Sequence, residues 1–293
     1  MFLQLAILSH CLTDFIFQSN LVTTQRKSRK LMQRLKANLL HSLNVVIFLF
    51  LILILWYKPS TVLPFSFCIG LTHFLIDFTK SSLSVNEMIS PDAFIRKKKS
   101  GSYLKQIYLT FMTRWKETLL FITDQILHFS TILLFYYHFD IQRGGLLQLI
   151  THSTKAKFEI SLLLLNRPSI ISILNYLIVY TLTCFGGRYA INCIINALRL
   201  TSRATWTEEG STRIIEPSPI SSDYIGIFER FIILTLVINE AYSAISFVFT
   251  AKSLARFREL DNRDFVEYYL IGTLMSTVLG IGGGLLLKFL NPY

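Results

Sequence analysis

Apolar positions along the chain gather into runs long enough to cross a bilayer, with short polar stretches between them. A spanning helix takes about 20 mainly apolar residues. By that rule helices are predicted near residues 2–20, 38–57, 62–80, 117–137, 171–198, 225–250 and 265–290. The pattern predicts an all-α polytopic membrane helix bundle of seven spans, or eight if the region 138–168 also crosses. Lys58-Pro59-Ser60 leaves room only for a tight turn, which makes the second and third helices antiparallel neighbours.

Elsewhere the pattern weakens. Ser90-Pro91-Asp92 and the run Arg96–Lys99 break up residues 81–116, where Tyr103–Phe111 could form a short helix in the membrane interface. Gly144–Ile150 and Ile160–Leu165 are apolar, but Thr151–Lys157 interrupts them, which fits an interfacial or re-entrant element. Residues 199–223 read as a polar loop. The chain thus divides into a four-helix region (1–137), a connecting region with one span at 171–198 (138–222), and a C-terminal helix pair (223–293). On the last helix, Gly272 and Gly280-x-x-x-Gly284 suit close helix packing.

Against this apolar background, three segments carry an imidazole and a carboxylate four residues apart: His10 and Asp14, His73 and Asp77, and, in reversed order, Asp124 and His128. Four residues is about one helical turn, so each pair shares a face. Ionisable groups at membrane depth are costly and normally face a bundle interior or a wet cavity. Measured from the basic boundaries, His41 and the three pairs all fall within roughly 3–12 residues of one side, about one leaflet's depth at 1.5 Å per residue. Helices running in opposite directions thus bring their polar pairs to one level, which predicts a shared site.

Composition agrees with the pattern: 52% hydrophobic, 16% charged, mean hydropathy +0.48. That excludes an ordinary soluble domain. The formal net charge of +11 is concentrated in residues 20–38 and 81–116. Basic connections of this kind mark the cytoplasmic side, and can also attract anionic lipids. No aromatic-and-basic recognition element accompanies them, so nucleic acid is not an expected partner. Cys11, Cys68, Cys184 and Cys193 lie in apolar segments without paired spacing, which argues against a disulfide framework.

The motifs His10-x-x-x-Asp14-Phe15-x-x-Gln18, His73-x-x-x-Asp77 and Asp124-Gln125-x-x-His128 occur with Ile225–Arg230, Ala251–Phe257 and Glu267–Ser276. Together they resemble the bacterial membrane proteins grouped as domain of unknown function family 3307. The resemblance supplies no activity. The layout is more loosely similar to membrane-bound metal-dependent hydrolases that carry His and Asp on spanning helices.

Function is therefore read from the residues. His10, Asp14, His41, His73, Asp77, Asp124 and His128 form a ligand set suited to zinc, manganese or iron. A metal there could drive hydrolysis of a lipid-like or phosphate-bearing substrate, with Asp77, Asp124, Gln18 and Gln125 as the catalytic candidates. The same groups would also suit a transporter or proton relay. A third possibility is a structural or accessory subunit whose polar groups join helices. Further on, Glu229 and Arg230 could pair with Lys252, Arg256 or Glu267. Alternatively, Arg230 and Arg256 could hold an anionic headgroup.

Overall fold

The computed structural model describes residues 1–86, 103–147, 167–203, 219–255, 257 and 263–291, and all regular elements among them are helices. The chain forms two compact units, Met1–Leu174 and Asn175–Tyr293.

The first unit contains α1 (Phe2–Phe15), α2 (Asn20–Arg26), α3 (Leu31–Leu53), α4 (Pro59–Asn86) and α5 (Tyr103–His138). The first predicted span is broken. The amides of Ile16 and Phe17 both return to the Leu12 carbonyl, at 3.0 and 2.9 Å. The Ser19 hydroxyl then accepts the Val22 amide at 3.3 Å and starts a new helix. The two segments meet at 80°, and α2 packs against α3.

The α3–α4 turn is tight, as the sequence implied, and its two helices pack along their length. At Gly70 they approach closely enough that an added Cβ would collide with Val46. Past α5 the chain returns to this turn. Gly144, with φ of 128°, donates to the Trp56 carbonyl at 3.4 Å, and Leu146 donates to Ile54 at 3.0 Å. Residues 148–166, the core of the doubtful 138–168 region, lie outside the described residues. The expected short helix at 103–111 is instead the opening of the 36-residue α5.

These helices are inverted relative to those of a soluble protein. Leu39, Leu43, Leu51, Leu63, Phe67, Leu71 and Leu75 are exposed, at helical spacing. On the opposite faces Asn38, His41, Ser42, His73 and Asp77 are buried. A lipid solvent favours this arrangement, because it accepts leucine and rejects charge. Phe2 closes the apolar end, its ring 4.8 Å from those of Tyr57 and Phe65.

In the second unit, α6 (Arg167–Thr181), which begins before the unit boundary, continues through a π-helical turn (Leu182–Gly186) into α7 (Gly187–Arg203). Then come α8 (Pro219–Ile238), α9 (Tyr242–Ala255) and α10 (Arg263–Leu290). The predicted helix 225–250 is two helices. Glu240 adopts φ of 58° at the break, and the Ala241 amide reaches back to the Leu236 carbonyl at 2.9 Å. Helices α8 and α10 form the core of the unit. A Cβ on Gly284 would lie 2.5 Å from Val237 Cγ1, and one on Gly280 2.8 Å from Ile233 Cγ2, so both glycines are required by close approach. Gly272 meets only an ordinary contact, with Ile195 at 3.7 Å. Val179, Leu234 and Leu287 fill one side of this core, and Ile233, Val237 and Ile245 the other.

Five helical segments are long and apolar enough to cross a membrane: Leu31–Leu53, Pro59–Val85, Phe111–His138, Ile170–Leu198 and Val266–Leu290. They become six if the bent α1–α2 pair is one span. That count is of the described residues. The chain is an integral membrane protein by this measure.

Candidate metal centre

Each candidate in the first unit owes its direction to helical periodicity. His10 and Asp14 lie on the buried face of α1, His41 on that of α3, His73 and Asp77 on α4, and Asp124 and His128 on α5. The four helices bring all seven side chains together. Asp14 Oδ1 is 3.2 Å from His41 Nε2, 3.5 Å from His73 Nε2 and 3.8 Å from His10 Nδ1. Asp77 Oδ2 is 3.2 Å from His73 Nε2 and 3.7 Å from His41 Nε2. The His73 and His128 rings are 4.1 Å apart, and those of His10 and His128 are 4.9 Å apart.

The fourth helix joins through the His128 ring, against those of His73 and His10, and on the same helix Asp124 Oδ1 lies 3.7 Å from His128 Nδ1. His128 Nδ1 donates to the Asp124 backbone carbonyl at 2.8 Å, which leaves Nε2 as the ring's acceptor. Such a bond orients an imidazole for ligation.

Two aspartates divide their oxygens. The outer oxygen of Asp77, Oδ1, is held by the Arg26 guanidinium. That of Asp124, Oδ2, accepts Lys80 Nζ at 2.7 Å and Gln125 Nε2 at 3.1 Å. The inner oxygens, Asp77 Oδ2 and Asp124 Oδ1, make no hydrogen bond. Neither do His10 Nε2, His128 Nε2 or either nitrogen of His73. Buried polar atoms are normally satisfied, because an unmade bond costs about 1–3 kcal/mol each. Six such atoms on five residues lie in one cluster, and because a neutral imidazole has a single lone pair they offer five ligand atoms. Three groups have one ligand atom per residue within 4.8 Å of one another: His10, Asp14 and His73; His41, His73 and Asp77; and Asp77, Asp124 and His128. Imidazole with carboxylate is the donor chemistry of a transition metal.

A family profile for proteins of unknown function, DUF3307, matches residues 2–158, more than half of the chain. The chain belongs to that family. The DUF3307 match contains all seven clustered residues, whereas the motifs at 225–230, 251–257 and 267–276 lie beyond it. No curated protein and no solved structure matches the chain.

The remaining candidates are more scattered. Gln125 reaches Asp124, while Gln18, half-buried at the α1–α2 bend, makes no hydrogen bond to the cluster. Arg230 is buried and gives Nε and Nη2 to the Cys184 carbonyl, at 3.2 and 2.7 Å. That carbonyl belongs to the π-helical turn, where the helical ladder is interrupted. Glu229 pairs with Lys252 at 2.7 Å. Arg256 lies outside the described residues.

The sequence pattern does not by itself mark Arg26, Lys80 or Asn38 as neighbours of the cluster. Asn38 Oδ1 accepts Arg26 Nε at 2.8 Å, which aims the guanidinium. Lys80 was detectable, because it follows His73 by seven and Asp77 by three residues on one helix face. Arg26 was not, since only the 80° bend brings it back.

Proposed function

We propose that this DUF3307 protein binds a divalent transition metal, zinc, manganese or iron, among its membrane helices. We further propose that it uses the metal to hydrolyse a lipid-like or phosphate-bearing substrate. The observation that carries the reading is the set of unbonded, mutually facing donor atoms on His10, His73, Asp77, Asp124 and His128. In the hydrolytic step, water oxygen bonds to the phosphorus or acyl carbon as the ester bond breaks, and the water proton passes to the leaving oxygen. The metal would supply Lewis acidity. Arg26 and Lys80, by holding the outer oxygens of Asp77 and Asp124, keep the inner ones directed at the ligand. In this reading the bundle has seven spans, or eight if 138–168 also crosses, with the site in the cytoplasmic half of the membrane and residues 20–38 and 81–116 on the cytoplasmic side.

A second reading, proton or ion relay, draws on those same ion pairs, since cation-paired carboxylates at membrane depth also suit a transporter. Elemental analysis of protein purified in mild detergent without chelator separates the two. The hydrolase reading expects about one or two equivalents of transition metal. It also expects slow ester cleavage, with metal content falling and cleavage lost in Asp77→Asn while the helices still assemble. Metal-free protein that moves protons in liposomes, and stops doing so in Asp77→Asn, would establish the relay instead.

A further inference from the structure

Resting on the metal reading above, we infer that the cluster is built for two metal ions held side by side. The first ligand group, His10, Asp14 and His73, shares no residue with the third, Asp77, Asp124 and His128. Each group alone offers imidazole and carboxylate within 4.8 Å, enough to hold an ion with its remaining positions open. The middle group, His41, His73 and Asp77, takes one member from each of the others and thus marks the seam between two sites. Across that seam His73 Nε2 and Asp77 Oδ2 face each other at 3.2 Å. Paired ions in hydrolytic centres lie about 3.5–4 Å apart, and adjacent groups of this size accommodate such a spacing.

A single ion would explain less of the arrangement. With four to six ligand positions it could satisfy one group and part of another, leaving buried donors from α1 or α5 without a partner. Asp14, Asp77 and Asp124 supply three negative charges, of which Arg26 and Lys80, paired with Asp77 and Asp124, already balance two, so two divalent ions here call for further anionic ligands such as a bridging hydroxide and the substrate itself.

The test is a titration of chelator-stripped full-length protein in detergent with Mn²⁺ alone, read by bound metal and by electron paramagnetic resonance. The wild type is expected to take about two equivalents and to show a spin-coupled spectrum. Asp14→Asn and Asp124→Asn remove a ligand from opposite groups. Each is expected to retain about one equivalent with an isolated-ion spectrum. A wild type that binds one equivalent with an isolated-ion spectrum overturns the pair and leaves the single-metal reading standing. No binding at all overturns both. Should either variant fail to assemble, the coupled or isolated spectrum of the wild type still decides the matter.

Discussion

The two units bury polar groups to different ends. In the second, Lys252 gives one hydrogen bond to Glu229 at 2.7 Å and another to Thr273 at 2.9 Å, and Arg230 is fastened to a backbone carbonyl. Those charges join α8 to its neighbours. In the first, His73 is 1% exposed with neither nitrogen hydrogen-bonded, and unbonded atoms of His10, Asp77, Asp124 and His128 surround it. Glu229 Oε1 is also unbonded, but among the described residues it belongs to no group of metal-ligating side chains. Polar groups that serve as adhesive are satisfied by protein. A cluster left unsatisfied by the protein is complementary to something else.

If that contrast holds, the largest loss of stability comes from the second unit. Lys252→Met strands the Glu229 carboxylate, whose side chain is 4% exposed. Breaking one side of a buried pair costs about 3–5 kcal/mol. Thermal unfolding in detergent is expected to show this loss, with most of it recovered in Lys252→Met/Glu229→Gln. A single variant as stable as the wild type would mean that the pair is not adhesive, and the contrast between the units would collapse.

The first unit should respond in the opposite sense. His128→Leu removes a buried imidazole whose Nδ1 bonds only a backbone carbonyl of its own helix and whose Nε2 makes no hydrogen bond, one unmade bond costing about 1–3 kcal/mol. Metal-stripped protein is therefore expected to gain on the order of 1–3 kcal/mol while losing metal binding. The measurement is the melting temperature of chelated wild type against chelated variant, beside bound metal. A loss of stability in the chelated variant would make His128 a structural member of the bundle, and the cluster an adhesive after all.

What the sequence revealed followed the range of the interaction. His10 and Asp14, His73 and Asp77, and Asp124 and His128 are local pairs, visible from helical spacing alone. Their meeting was legible from depth, because helix rise turns residue counts into ångströms. Gly280 and Gly284 announced close packing, but their partners Ile233 and Val237 did not announce themselves. The α1–α2 bend depends on a serine cap that looks ordinary in sequence. The α8–α9 break lacks the usual punctuation, since Asn239-Glu240-Ala241 contains neither glycine nor proline.

That break supplies the smallest expected effect. Glu240 holds φ of 58°, a region in which an L side chain is disfavoured and glycine is not. Its carboxylate accepts Lys288 Nζ at 2.7 Å, and this hydrogen bond lowers the carboxyl pKa from its ordinary value. A carboxyl depressed in the folded state stabilises above its unfolded pKa, and that contribution fades as pH falls through the folded value. Because the Glu240 side chain is 74% exposed, the contribution is small. Glu240→Gly therefore exchanges a weak ion pair for relief of backbone strain. Near neutral pH the variant and wild type are expected to melt close together. On acidification the wild type loses its ion pair and keeps its strain, so the difference should move in favour of the variant. Melting curves for the two proteins from about pH 7 down to about pH 3 check the sign. A difference that stays constant would show the pair to be idle, leaving backbone geometry alone to set the turn between α8 and α9.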